Sequence, residues 1–439
     1  MMVMQNLQQR IRAALRDTFL HNMATMFIAT SLAGVFNYLY LLFMGRLMPP
    51  ESYGVFGALY AFFYVLYILV DVIQTSIARF TAEAMAKGKP GLVNFIVTGM
   101  LKTGAIFAFV PLIACIAMAN YITSFLQMDS SLPVIMLGFA IFFSMLLPIL
   151  LGSLQGLCRF NTLGLVMLLN AGFKLLLGIV FVWLGFDIAG ALGAIGVAAL
   201  LSIAASITPL RSLLNFSGKS DFRLTQVYKY AAPATLLLLC YSVPTSIDVI
   251  IVKHFFTPYE AGIFTAASVI GKIVFFFPIA VSVVMFPNVS GQHTQKKDTT
   301  NILKMCLIYT AFLSGLVALA FWVLPTGATR FFFGESYLRA ASLARWYVVA
   351  MFFFSLTTIY IRYNLAIKNW QYLMVILPIT ILEIILITFI HSSMNQVVYI
   401  LMGVNIALFA TSCGYMLLAG KRLRHVAAYS PGVRTAQQR

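Results

Sequence analysis

The sequence predicts an all-α polytopic membrane protein of about twelve transmembrane helices in two six-helix bundles, and three observations carry that prediction. First, 61% of the 439 residues are hydrophobic and only 9% are charged, whereas soluble domains are about 25% charged. Second, apolar runs near the ~20 residues that cross a hydrocarbon core recur along the whole chain, parted by short polar breaks. Third, the basic residues collect in alternate breaks. With 29 Lys and Arg against 12 Asp and Glu, the formal net charge is +17. That balance alone would suit a nucleic-acid partner, but the apolar content excludes one. The excess is read as positive charge held at cytoplasmic loops beside anionic lipid.

Residues 1–22, with Arg10, Arg12 and Arg16, form an amphipathic cytoplasmic N-terminus. The apolar stretch after them has no small-residue cleavage pattern, so no removable signal peptide is expected. Spans follow at 23–46, 53–78, 92–119, 131–156, 161–184 and 188–208, making an N-terminal lobe over 23–208. Residues 209–227 are a cytoplasmic linker. A C-terminal lobe over 228–419 holds spans at 228–252, 259–287, 302–324, 344–366, 371–391 and 396–419. Residues 420–439 are a basic cytoplasmic tail, too short to fold alone. The segment 325–343 mixes aromatics with charge and reads as an amphipathic turn or short helix at the outer interface.

With the N-terminus inside, 20 of the 29 basic residues fall on the cytoplasmic side and five outside: Arg46, Lys253, Arg330, Arg339 and Arg345. The remaining four lie within spans. This bias places both termini in the cytoplasm and supports an even number of crossings. Cys115, Cys158, Cys240, Cys306 and Cys413 are odd in number and scattered, so they read as packing residues, not as disulfides or metal ligands.

The chain also repeats itself. Segments 36–66 and 246–276 superpose without gaps at an offset of 208, placing Pro50 on Pro258, Gly54 on Gly262, Phe56 on Phe264 and Ala58 on Ala266. At 209, Arg159 falls on Lys368 and Lys174 on Glu383. Two copies of six helices each have one orientation in the membrane, which is a parallel repeat. A cavity between two such bundles suits alternating access.

Ionisable groups within hydrocarbon are costly, and each is a functional candidate. They are Asp71, Lys102, Lys174, Asp248, Lys272, Arg362 and Glu383. Lys174, with Asn170 one turn before it, offers a cationic handle for an anionic substrate; the alternative is a structural ion pair. Lys272 has less polar company. Lys102 and Arg362 lie near span ends and can snorkel. Tyr241, Thr245 and Asp248 are spaced to share one helical face, and their repeat partners are Ala33, Asn37 and Tyr40, a seam that suits either a cavity lining or plain helix packing. Asp71, Asp248 and Glu383 are candidates for proton or sodium coupling, or for neutralising a buried base. At the inner mouth Arg79 and Arg159, each beside a Phe, can bind phosphate or simply anchor the positive side. Apart from such an ion, no cofactor and no metal is expected.

Four stretches, MGRLMPPESYGVFGAL, GSLQGLCRFN, WLGFDIAGALGAIG and RFFFGESYLRAASLARWYVVAMFFFSLTTIYIRYNLAIKN, resemble the polysaccharide or O-antigen flippase family of the multidrug/oligosaccharidyl-lipid/polysaccharide (MOP) exporter superfamily. The resemblance spans about 20–420. It implies a MATE-like, V-shaped pair of bundles that moves polyprenyl-pyrophosphate-linked oligosaccharide from the cytoplasmic to the outer leaflet. By position, Lys174 matches a basic residue often found in the family's fifth span, and Arg79 the basic-aromatic pair ending its second. The first span departs from related subfamilies. It lacks the arginines of lipid II flippases and the carboxylate that many multidrug exporters carry there.

The expected function is therefore a non-enzymatic flippase of the plasma or inner membrane, with lipid as surroundings and a polysaccharide polymerase and glycosyltransferases as candidate partners. A cation-coupled exporter of drugs or metabolites is the nearest rival, although four of the seven buried ionisable groups are basic. A membrane glycosyltransferase or polymerase would need exposed acidic or His clusters on large loops, which the sequence lacks.

Overall fold

The computed structural model describes residues 2–214, 235–236, 238–240, 242–294 and 298–428, without the side chains of 2–24, 68–71 and 419–428 among others. Every regular element among the described residues is helical. Ten helical stretches are long and apolar enough to cross a membrane. One of them, Phe160–Arg211, is a hairpin of two helices. The expected seventh span, 228–252, lies partly outside the described residues.

The contacts divide the chain into two units, the first comprising residues up to Thr235 together with Phe256–Thr265. It is built from α1 (Met2–Leu47), α2 (Pro50–Ala86), α3 (Pro90–Ala117), the short α4 (Ala119–Phe125), α5 (Leu132–Gly156), α6 (Phe160–Phe181) and α7 (Asp187–Leu214). Proline opens α2, α3 and α5, where its missing N–H would have had no intrahelical partner. α5 is the central helix and packs against α2, α3 and α7, while α1 lies on α6. Ile77, Met100, Leu150, Leu154 and Val166 share the core. Between α6 and α7 a π-helical turn, Val182–Phe186, reverses the chain at Gly185, whose φ of 90° favours glycine. The amphipathic N-terminus expected as a separate segment is continuous with the first span in α1, because no glycine or proline lies between residues 2 and 33.

The second unit comprises Leu236–Phe255 and the chain from Ala266 onward. Its helices are α8 (Ile247–Phe255), α9 (Pro258–Gly271, whose first turns belong to the first unit), α10 (Phe276–Thr294), α11 (Thr300–Val323), α12 (Pro325–Phe333), α13 (Ala340–Ala366), α14 (Leu373–Phe389) and α15 (Met394–Ala428). α13 takes the central place and packs against α10, α11 and α15. A 3₁₀ segment, Lys272–Phe275, separates α9 from α10. Its cause is Pro278, which has no N–H to give to the carbonyl of Val274. The Ser314 hydroxyl bonds that carbonyl instead, at 3.3 Å. The lobe boundaries expected from sequence put 256–265 wholly in the second bundle; the contacts place it with the first. The expected linker begins inside α7, which runs to Leu214, and continues outside the described residues.

Helix ends confirm and correct the repeat. α5 stops at a turn in which Cys158 takes a φ of 56° and the N–H groups of Leu157, Cys158 and Arg159 bond back to Ser153, Gln155 and Leu154. α13 stops identically: Lys368 has a φ of 56°, and Ile367, Lys368 and Asn369 bond back to Tyr363, Leu365 and Asn364. This is a glycine-type helix stop made without glycine. The equivalent of Lys368 is thus Cys158, at an offset of 210, and Arg159 corresponds to Asn369. Beyond this turn a 3₁₀ turn, Trp370–Tyr372, precedes α14, whereas α6 starts directly at Phe160. Three 3₁₀ residues rise about as far as four α-helical ones. One residue is saved, and Lys174 and Glu383 return to register at 209.

Candidate functional site

In the first unit the site is built around Lys174, near the middle of α6 and 7% exposed. Its Nζ lies 4.8 Å from the ring centroid of Tyr40 on α1 and 5.8 Å from that of Tyr60 on α2. The two rings are 6.1 Å apart. Tyr40 has no exposed surface, and its hydroxyl donates to the Ala191 carbonyl on α7 at 2.8 Å. A Cβ on Gly178, one turn beyond Lys174, would stand 2.7 Å from Tyr40 Cε2. Glycine at that position lets the ring lie flat against α6. Lys87–Glu83 and Arg330–Glu335 are ion pairs among the described residues, and no described carboxylate stands within 4 Å of Lys174. Desolvated cation–π contacts of this kind are worth up to about 2 kcal/mol, and here they take the place of a counter-ion.

In the second unit the equivalent positions carry the opposite charge. Asp248, in the first turn of α8, is the repeat partner of Tyr40, and Glu383, on α14, that of Lys174. Both are fully buried. Asp248 Oδ2 accepts a 2.6 Å hydrogen bond from the Tyr347 hydroxyl on α13, which in turn accepts one from Ser268 at 3.0 Å. Among the described residues, Asp248 Oδ1 and both Glu383 oxygens have no hydrogen-bond partner, nor has the buried amide of Asn405 on α15. Asp248 and Glu383 lie close enough to feel each other's charge, and Lys272, at the start of the 3₁₀ segment, feels that of Asp248. Two buried acidic groups and the Tyr347 hydroxyl thus lie in low dielectric with acceptor positions left open. Such a set can hold a proton or a small cation.

Packing at matched positions is complementary. Tyr40 meets Gly178, whereas their partners are the small Asp248 and the large Ile387. The ring of Tyr347 fills the space that a Cβ on Gly271 would take, at 2.3 Å; in the first unit the same pair is Phe63 and Leu137.

The other expected residues lie as follows. Asn37 and Asn170 are half-buried. Thr245 is buried and donates to the Ser242 carbonyl. The shared helical face expected for Tyr241, Thr245 and Asp248 requires an unbroken helix, but the chain turns at 243–246, around Pro244, before α8 begins; Tyr241 itself lies outside the described residues. The side chain of Asp71 lies outside them too. Arg79 is exposed, with its guanidinium 5.9 Å from the Phe80 ring. Arg159 is exposed and donates to the Pro209 carbonyl of α7. Lys102 is exposed and Arg362 half-buried. Tyr60, Gly178, Ser268, Tyr347 and Asn405 were not anticipated. For Tyr60 and Ser268 the usable signal is their 208-residue offset from one another, and for Gly178 its place one turn from Lys174. Tyr347 and Asn405 carry none.

Helices long and apolar enough to cross a membrane, with charge at mid-helix, define a multi-pass membrane protein, and its fold is that of solved transporters and flippases. The chain belongs to the polysaccharide biosynthesis protein family, whose family model matches residues 19–293. A multidrug resistance MATE family transporter in an inward-facing conformation is similar in structure, with a TM-score of 0.74 at 14% identity over 91% of this chain and 96% of that one. The lipid II flippase MurJ in an inward closed conformation matches with a TM-score of 0.68 at 17% identity, over 90% and 87%. A MOP superfamily transporter from Pyrococcus furiosus, described as having a binding pocket of reverse polarity, matches at 0.64 and 15%, over 93% and 95%. Comparison with curated proteins found no match.

Proposed function

We propose that this protein moves a polyprenyl-pyrophosphate-linked oligosaccharide from the cytoplasmic to the outer leaflet for cell-surface polysaccharide biosynthesis, by alternating access of its two lobes. Membership of the polysaccharide biosynthesis family supports the substrate class. The observation that carries the reading is Lys174, a buried ammonium resting on tyrosine rings with no described carboxylate in ion-pair range. A cation without a counter-ion favours an anionic cargo. Pyrophosphate is such a cargo, and the polyprenyl tail stays in lipid, where no protein contact is needed. Arg79 and Arg159 receive the headgroup at the cytoplasmic face through bidentate bonds to phosphate, while Asn37 and Asn170 hydrogen-bond its sugars. Asp248 and Glu383 couple the cycle to H+ or Na+. The protein resides in the plasma or inner membrane with both termini cytoplasmic, and glycosyltransferases and a polymerase act before and after it.

The test is transfer of a fluorescent lipid-linked oligosaccharide in proteoliposomes. Lys174→Ala, in protein that inserts and folds normally, lowers transfer at least tenfold; unchanged transfer removes Lys174 from the mechanism. The Asp248–Glu383 pair favours a second reading, a cation-coupled exporter of drugs or metabolites. Gradient-driven efflux of a cationic dye, together with no transfer of lipid-linked sugar, would establish that reading instead.

A further inference from the structure

We infer that Tyr40 and Tyr60 form a π-cradle that holds the Lys174 ammonium charged and aimed before any substrate arrives, and that Gly178 is the residue that admits Tyr40 to this position. Tyr40 is then a positioning residue and not a lining group. The inference rests on the proposed anionic cargo for its purpose, but on geometry for its existence.

Four features point the same way. Lys174 is buried, yet its Nζ lies within 6 Å of two ring centroids, the range in which the negative face of an aromatic ring stabilises a cation. Tyr40 is not free to turn away, because its hydroxyl is tied to the Ala191 carbonyl at 2.8 Å. Tyr60 is held from both sides along α2, with Phe56 at 5.6 Å and Phe63 at 5.9 Å between ring centroids. The complementary exchange at the repeat positions shows that the ring-and-glycine pair is not a general packing requirement of the fold. Where the partner of Lys174 is an acid, the partner of Tyr40 is no longer aromatic and the partner of Gly178 is no longer glycine.

The consequence is mechanistic. A lysine paired with a carboxylate would have to break that pair before meeting phosphate, and would leave an uncompensated acid behind. Rings can remain beneath the ammonium when phosphate approaches from the side away from them, so the cradle keeps the cation available. It also limits the rotamers of a long side chain, which reduces the ordering cost on binding.

The experiment reads the cradle in two ways, using full-length protein in lipid nanodiscs. In substrate-free protein labelled with [ε-13C]lysine, the ε-methylene protons of Lys174 resonate upfield through ring currents, and the signal is assigned by its loss in Lys174→Arg. Tyr40→Leu and Gly178→Ala move it downfield, and Tyr40→Phe leaves it in place. An unshifted Lys174 signal in the unsubstituted protein overturns the cradle. The second reading is affinity for geranyl pyrophosphate with phenylalanine at position 40 carrying zero to three ring fluorines, which drain the negative face at nearly constant shape. Affinity falls stepwise by about three- to tenfold across the series. A flat series assigns Tyr40 to packing and overturns its positioning role. If the ring-current shift is present but geranyl pyrophosphate does not bind the unsubstituted protein, the cradle stands and the proposed cargo falls.

Discussion

At Glu383 a side chain with no exposed surface carries two oxygens that no described donor reaches. An ionised carboxylate there costs several kcal/mol unless it takes up a proton or a cation. Glu383→Leu therefore keeps the thermal midpoint of detergent-solubilised protein or raises it, by about 1 kcal/mol in stability terms. The same change abolishes any dependence of transport on a proton or sodium gradient. A clear drop in the midpoint would show that Glu383 is paired in the resting protein. Tyr347→Phe acts in the opposite sense, since it removes the 2.6 Å donor to Asp248 and strands a second buried acceptor, a loss of about 1–3 kcal/mol readable in the same melting experiment. Asp248, Glu383 and Lys174 were legible in the sequence because a charge inside an apolar run has no ordinary explanation. Tyr347 was not, because a tyrosine in such a run looks like any other large core residue until its neighbours are known.

Among the elements, the N-terminal turns of α2 and α9 show how far the repeat governs packing. Gly54 and Gly262 occupy equivalent positions, and each meets the backbone of the other segment. A Cβ on Gly262 would fall 1.8 Å from the Pro50 carbonyl oxygen, and one on Gly54 would fall 2.7 Å from the Gly262 nitrogen and 2.9 Å from the Pro258 oxygen. Gly57 and Thr265, again equivalent, touch in the same way: a Cβ on Gly57 would lie 2.3 Å from Thr265 Cγ2. The approach is that of small residues letting two helix backbones meet. Gly262→Ala, whose methyl group has only backbone to displace, destabilises the protein by ~2 kcal/mol or more. Gly403→Ala, on the exposed face of α15 with nothing within 4 Å, is the control and stabilises by about 0.5–1 kcal/mol through helix propensity. Equal midpoints for the two variants would mean that the α2–α9 crossing does not persist in the membrane. The repeat in the Pro-Gly turns was visible in the sequence. That its two copies touch was not, because equivalence in sequence says nothing about distance.

For the whole molecule, the topology rests on charge counting and on the equivalence of the two helix stops at Cys158 and Lys368. Those stops share φ angles and hydrogen-bond pattern and follow the central helix of each unit, α5 and α13. In a parallel repeat of even-numbered halves, equivalent turns lie on one side of the bilayer. The basic residues around these stops fit the proposal that this side is the cytoplasmic one. Cys158 is already exposed, and the positive φ it adopts is the one Lys368 adopts, so Lys368→Cys should be accommodated without strain beyond what the fold already bears. With the other four cysteines replaced, a membrane-impermeant maleimide labels Cys158 alone, or Lys368→Cys alone in a Cys158→Ser background, only after the cytoplasmic face is opened. Gly327→Cys, exposed on α12, labels from outside in intact cells. Labelling of 158 and 368 from opposite faces would make the repeat an inverted one. The halves would then have opposite orientations, and the correspondence of Tyr40 with Asp248 and of Lys174 with Glu383 would no longer describe one site built twice with its charge exchanged.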